Sequence, residues 1–245
     1  MNIIFLSPHL DDAVLSCGAI LHDLTHKQHH KVEVWTLFSG DVPAGPLSPF
    51  AAELHQRWNT GTDAPKARRA EDKLACERLG VVPRYLMYPD CIYRSRQGTS
   101  EPLIVKNEDL FTLHVEEESE LLQELKEKLF QSLPTDCLLV LPLGVGGHID
   151  HVITRAVGES LTPNPCYYAD FPYSGSHPEE IAQKLPKGAE CLPYPLSNQS
   201  LAAWQYGVEA YTSQISTFWP SLSQMYQAIQ AYATSPKGNC LWKVN

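Results

Sequence analysis

Apolar residues form several short unbroken runs along the chain and recur at helical spacing between them. The first run, NIIFLS (2–7), stops at Pro8. Val14, Leu15, Ala19, Leu21 and Leu24 then make a stripe that predicts a helix over 12–26. Asp12 at its start suits the helix dipole. KVEVWTLFS (31–39), RYLMYP (84–89), DCLLVLPL (136–143) and CYYADFPY (166–173) read as further strands. Helices are expected at 66–80, with Gly80 as stop signal, at 116–133, with Glu at its start and Leu and Phe on one face, and at 146–161. Residues 198–234 predict two helices broken at Pro220. Continuous apolar strands interleaved with helices suit a parallel sheet covered on both faces. The expected fold is α/β: a Rossmann-like, mostly parallel sheet with helices on both faces, in a single domain over 1–245. Residues 40–65, rich in Pro, Gly and Ala, read as a long loop with one helical turn, and 90–116 as a second insertion.

Composition narrows the function classes. A chain of 245 residues with 43% hydrophobic content can bury a large core in one domain. A formal net charge of −9 argues against nucleic acid or an anionic membrane as a general partner. The N-terminal apolar run lacks the basic flank and length of a signal peptide. No stretch approaches the ~18 apolar residues of a membrane span. Seven cysteines, without a CxxC pair, suggest reduced and mostly buried thiols in a cytoplasmic protein. The absence of GxGxxG after the first strand disfavours a dinucleotide site. Homo-oligomerisation stays open.

Two segments carry the chemistry: His9-Leu10-Asp11-Asp12 and His148-Ile149-Asp150-His151, the latter after Gly144, Gly146 and Gly147. Each falls where an expected strand turns into an expected helix, and ligands of open α/β sheets bind outside the carboxyl ends of strands. In each, the first and last residues are three apart, so one helical turn brings them to the same side. Two imidazoles and one carboxylate make an open metal site. Zinc with three protein ligands keeps a position for water and lowers that water's pKa from about 15.7 toward ~7. Iron(II) suits the same ligands. A remaining carboxylate can serve as base, and a remaining imidazole can stabilise an oxyanion or protonate a leaving group. The other histidines look structural. His22, His26, His29 and His30 cluster at a helix end, His55 and His114 lie in loops expected to be exposed, and His177 lies at a helix start. Trp58, Tyr93, Arg94 and Arg96 occupy the insertions, as substrate-lining or as plain surface residues.

At the two motifs the chain resembles the LmbE/PIG-L superfamily of zinc-dependent N-acetylglucosaminyl deacetylases, whose usual motifs are A-H-P-D-D-E and H-x-D-H. The resemblance implies that His9, Asp12 and His151 hold the metal and that Asp11 is the general base. It implies that His148 faces the tetrahedral intermediate, with Asp150 orienting it. A carboxylate beside that ring would favour its protonated form. The chain departs from the family pattern at Pro8, Leu10 and Ala13, none of which supplies that chemistry. There it is closer to the branch that deacylates glycopeptide antibiotics. Arg68-Arg69-Ala70-Glu71…Leu79-Gly80 is similar to a family helix whose arginine contacts substrate, with Arg68 in the better register. Asp90 matches an aspartate that bonds sugar hydroxyls, and Ala210-Tyr211…Ser213-Gln214 a C-terminal segment. The likeness spans about 5–215. It implies a zinc-dependent hydrolase that removes an N-acyl group, foremost acetyl, from a 2-acylamido sugar or its conjugate. The substrate partner is then a small-molecule sugar conjugate. A few relatives are instead hydratases of small carboxylic acids, which is the alternative reading.

Overall fold

Each residue of the first apolar run has a layer to face. In the computed structural model, which describes residues 1–244, β1 (Asn2–Ser7) sends Ile3 and Phe5 into one core and Ile4 and Leu6 into another. Side chains alternate across a strand, so an unbroken apolar run fits only a strand buried on both sides. The chain continues through α1 (Asp12–His26), β2 (Lys31–Thr36), α2 (Pro49–Trp58), α3 (Ala64–Leu79), β3 (Val82–Tyr85), α4 (Asp109–Thr112), α5 (Ser119–Ser132), β4 (Cys137–Pro142), α6 (Ile149–Leu161) and β5 (Cys166–Tyr168). It ends with α7 (Tyr173–Ser176), α8 (Pro178–Lys184), β6 (Ala189–Pro193), α9 (Asn198–Val208), α10 (Thr212–Phe218), α11 (Leu222–Ala233) and β7 (Cys240–Val244).

The seven strands form one sheet in the order β3-β2-β1-β4-β5-β7-β6. β1 to β5 pair in parallel. β7 runs antiparallel to both β5 and β6. Helices α1, α3, α9 and α11 cover the face of Ile3 and Phe5, and α5 and α6 cover that of Ile4 and Leu6. The order turns between β1 and β4, with β2 and β3 on one side and β5 on the other. The register pairs Phe5 with Val140, so the carboxyl ends of β1 and β4 open side by side at a topological switch point. That places the two histidine- and aspartate-bearing turns together.

The closest helix contact fixes α1. A Cβ on Gly18 would stand 2.1 Å from Trp204 Cδ1, so only glycine admits α9 there. The Trp204 indole N–H donates to Val14 O at 2.8 Å. The helix dihedrals break at Cys17, with φ −134°, as expected where a side chain inserts into the hydrogen-bond ladder.

Several expectations need correction. β2 ends at Thr36 rather than 39, β3 at Tyr85 rather than 89, and β5 at Tyr168 rather than 173; beyond β2 and β3 only single bonds such as Leu37 N–H to Ser7 O and Tyr88 N–H to Leu37 O persist. The 40–65 segment holds more than one turn: α2 has 10 residues, with Pro49 in its first turn and Ser48 Oγ accepting from Ala51 N–H at 3.1 Å. The C-terminal region makes three helices, not two. The carboxylate of Glu71 draws α10 away from α9 by accepting from Thr212 Oγ1 at 2.6 Å, Ser213 N–H at 2.8 Å and Ser213 Oγ at 2.6 Å. β6 and β7 were not expected. All cysteines among the described residues are free, and no helix is long and apolar enough to cross a membrane.

Candidate active site

Both motif turns deliver their side chains into one buried cluster. Ser7 Oγ accepts from Ala13 N–H at 3.1 Å, which tightens the turn from β1 into α1. The turn from β4 into α6 needs positive φ at Gly144, Gly146 and Gly147 (71°, 85° and 78°), a conformation cheap only for glycine. Asp12 Oδ2 lies between the two turns. It is 3.2 Å from His9 Nδ1, 3.3 Å from His151 Nε2, and accepts from His9 N–H at 2.8 Å. Ligand atoms about 2.0–2.2 Å from one tetrahedral ion stand roughly 3.3–3.6 Å apart. The two Asp12–histidine separations are close to that spacing, and two imidazoles with a carboxylate have the chemistry of a divalent-metal ligand set. His9, His148 and His151 also bring nitrogen atoms within 4.8 Å of one another.

Each proposed ligand imidazole is braced on its far nitrogen by a carboxylate. His151 Nδ1–H donates to Asp170 Oδ1 at 2.7 Å, and Asp170 Oδ2 accepts from Val145 N–H at 2.9 Å. His9 Nε2 meets Asp150 Oδ2 at 3.0 Å. Such partners fix ring orientation and tautomer and raise ligand basicity. Asp150, fully buried, also accepts from Cys91 N–H at 3.0 Å and from Arg94 Nη2 at 2.6 Å. Arg94 in turn lies 2.7 Å from Glu118 Oε2.

The charge balance of the cluster follows from burial and these neighbours. Burial disfavours the charged form of His9, but Asp90, Asp12 and Asp150 outweigh it and raise the imidazole well above its usual pKa. His151 is likewise opposed by burial and pushed up to about 9 by Asp12 and Asp170. Burial opposes ionisation of Asp12, yet His151 and His9 hold it well below the carboxylate range. A cluster this rich in carboxylate attracts positive charge, and a metal ion replaces the protons on its ligands. Asp11 differs from its neighbour: burial and then the charge of Asp12 push it up to about 7, against Arg68 and His9.

Asp150 does not orient His148 through its carboxylate. Only its backbone N–H reaches that ring, donating to His148 Nδ1 at 3.3 Å. Residues two apart at a helix start leave the axis in different directions, so the Asp150 side chain serves His9 instead. Nor is the His148 ring held protonated. Burial, then His9 and His151, push it well below the usual histidine pKa despite Asp150. With Nδ1 accepting, the neutral ring carries its proton on Nε2. His148 is a neutral N–H donor.

Of the two arginines, Arg68 reaches the site. Its Nη2 is 3.6 Å from Asp11 Oδ2, its Nη1 is 3.9 Å from Asp90 Oδ2, and its guanidinium lies 5.0 Å over Trp58. Those separations exceed hydrogen-bond length, so its Nη donors are not committed to either carboxylate. Arg69 instead bonds Ser39 O and Asp41. Asp90 sits at the crevice, with Oδ2 3.7 Å from His9 Nε2 and Oδ1 capping Ile92 N–H. One turn after Arg68, buried Asp72 accepts from Tyr211 O–H at 2.8 Å and Tyr85 O–H at 3.0 Å, and burial pushes its carboxyl up to about 6. Tyr211 and Glu71 thus tie the C-terminal segment to the helix that presents Arg68.

His55 is buried rather than exposed, and its Nε2 meets Tyr93 O–H at 2.6 Å. His26 Nδ1 bonds His22 O at 3.0 Å and its ring stacks on His22, so that pair finishes α1. His177 precedes Pro178 at the start of α8, as expected. Asp170, Phe111 and Tyr173 were not singled out from the sequence, and Arg94 was named there only as an insertion residue, not as the partner of Asp150. Asp170 follows β5, and a strand end is the signal that would have found it.

The chain matches the family model for PIG-L, GlcNAc-PI de-N-acetylase, over residues 4–162. It is 31% identical to the 2'-N-acetylparomamine deacetylase of Niallia circulans over 193 residues, 71% of this chain and 68% of that protein. Its structure is similar to that of the zinc-inhibited form of teicoplanin deacetylase Orf2, with TM-score 0.84 and 26% identity, covering 99% of this chain and 97% of that one. A likeness to GalB, the 4-carboxy-2-hydroxymuconate hydratase of Pseudomonas putida KT2440, has TM-score 0.55 at 15% identity over 99% and 94% of the two chains, and is one of fold alone.

Proposed function

The chain belongs to the PIG-L family of GlcNAc-PI de-N-acetylases, and we propose that it is a zinc-dependent hydrolase that removes the N-acetyl group from a 2-acetamido sugar within a larger conjugate. The observation that carries the reading is Asp12 Oδ2 set 3.2 and 3.3 Å from the ring nitrogens of His9 and His151, with a second carboxylate, Asp11, pushed up to about 7 beside it. Similarity to sugar deacetylases, rather than fold alone, favours amide hydrolysis over hydration.

His9, Asp12 and His151 would hold the ion. Zinc bound there supplies Lewis acidity, acidifying water and polarising the amide carbonyl; iron(II) suits the same donors. Asp11 takes a proton from the attacking water, for which a pKa near the working pH is favourable. Water oxygen adds to the acyl carbon. His148 donates its Nε2–H to the oxyanion that develops, an interaction strongest in the transition state. The C–N bond then breaks, and Asp11 returns its proton to the departing nitrogen, leaving acetate and a free amine. Arg68 and Asp90 offer a cation and an acceptor to sugar hydroxyls.

The test is mass spectrometry of N-acetylated amino-sugar conjugates incubated with zinc-loaded protein. Loss of one acetyl group with equimolar acetate is expected. Intact amides throughout, with a hydroxy acid formed from an unsaturated carboxylate, would place the chain with the hydratases.

A further inference from the structure

The crevice has two chemically different walls. Beside Asp11 stand Arg68 and Asp90, with the hydrogen-bonded His55–Tyr93 pair behind them. Beside His148 the wall is aromatic. The Phe111 ring lies edge-on to His148 at 5.8 Å and to Tyr173 at 6.2 Å, and Tyr173 lies edge-on to His151 at 5.7 Å.

Phe111 is 37% exposed although it touches a buried catalytic ring. Its backbone is held by anchoring contacts. Asp109 Oδ2 accepts from Val105 N–H at 2.9 Å and Lys106 N–H at 3.1 Å, which pins the start of α4. A Cβ on Gly147 would stand 3.9 Å from Phe111 O, so α4 rests on the turn before His148. Tyr173 is fixed from behind, because a Cβ on Gly146 would stand 3.0 Å from its ring.

An N-acyl amino sugar has the same division as the crevice: hydroxyls on one side of the amide, an alkyl group on the other. With the acyl carbon between Asp11 and His148, and the sugar toward Arg68 and Asp90, the alkyl group is left on the aromatic flank. We propose that the acyl substituent lies against Phe111 and Tyr173, and that Phe111 limits the length of acyl chain accepted. This rests on the deacylase reading. Burying an alkyl group there covers the exposed ring, which stabilises the complex. A chain longer than the flank admits must displace Phe111. Hydrophobic pockets discriminate by roughly 10–200-fold per methylene, so one ring is enough to set the limit.

The test compares kcat/KM of the zinc-loaded wild type, Phe111→Leu and Phe111→Ala on N-acetyl-, N-butyryl- and N-octanoylglucosamine. Phe130→Ala, at a 77% exposed position on α5, is the control. The octanoyl-to-acetyl ratio should rise at least about ten-fold in Phe111→Ala, less in Phe111→Leu, and stay at the wild-type value in Phe130→Ala. An active wild type whose ratio is unmoved or lowered in both Phe111 variants overturns the assignment of the acyl wall. A wild type inert on all three amides and on the N-acetylated amino-sugar conjugates overturns the deacylase reading, and this inference with it.

Discussion

Replacing Asp170 by Asn should weaken metal binding without touching a ligand. Asp170 joins two donors: Oδ1 accepts from His151 Nδ1–H at 2.7 Å and Oδ2 from Val145 N–H at 2.9 Å. Both its oxygens are acceptors, and the residue is 1% exposed. An amide of the same shape cannot satisfy both contacts. If its oxygen faces His151, its NH2 opposes Val145 N–H, and a buried donor goes unpaired at a cost of about 1–3 kcal/mol. If its NH2 faces His151, the ring must shift its proton to Nε2, the nitrogen that faces Asp12. In either orientation the negative charge that helps raise the His151 pKa is gone. Loss of such a brace typically lowers metal affinity about 10–100-fold, or roughly 1.4–2.7 kcal/mol. Zinc competition against a chelator reads the affinity, and circular dichroism of the metal-free variant reads the fold. A folded Asp170→Asn with wild-type zinc affinity would refute the argument that this carboxylate sets the ligand tautomer.

Three further outcomes follow from the geometry. His148→Ala should keep its metal and lower kcat by about 10²–10³, the usual effect of removing one oxyanion donor, with KM within a few-fold; steady-state kinetics beside metal analysis checks this. Because burial and neighbouring histidines hold His148 neutral, any alkaline limb of the wild-type kcat/KM profile should persist in that variant. Asp72→Asn should change the pH dependence of stability: the folded chain keeps the Asp72 proton until about pH 6, whereas the unfolded chain releases it near pH ~4. Folded protein binds more protons in that window, so wild-type stability should fall relative to Asp72→Asn by roughly 3 kcal/mol from pH ~4 to ~7, measured by urea unfolding; parallel curves for the two proteins contradict it.

What the sequence disclosed was mostly local. His9 and Asp12, like His148 and His151, are three residues apart, so their spacing could be read directly, and alternating strands and helices put both motifs at strand ends; His9 precedes α1, which starts only at Asp12. Contacts between distant segments left no such mark. Asp170 reaches His151 across 19 residues of chain, and it was concealed inside an apolar stretch that read as strand to 173. Arg94 reaches Asp150 from an insertion, 56 residues away, with no periodicity to announce it. The family resemblance paired Asp150 with His148, two residues away, while the fold turns its carboxylate to His9, 141 residues away. β6 and β7 escaped notice for another reason. β6 is mostly exposed, so it lacks the buried apolar run that revealed the central strands. The helix at 49–58 was hidden by Pro49, which ends helices when internal but starts them in the first turn.

The division of labour between two adjacent carboxylates is the centre of the account. Asp12 Oδ2 lies between the ring nitrogens of His9 and His151, the proposed ligands, while Asp11 faces Arg68 and is pushed up to about 7. The most direct measurement is acetate release by wild type and Asp11→Asn, each assayed at the same measured zinc content. The account predicts one ion per chain in both and a kcat lower by about 10²–10⁴ in Asp11→Asn. An Asp11→Asn enzyme that releases acetate within a few-fold of wild type at equal zinc content would contradict it.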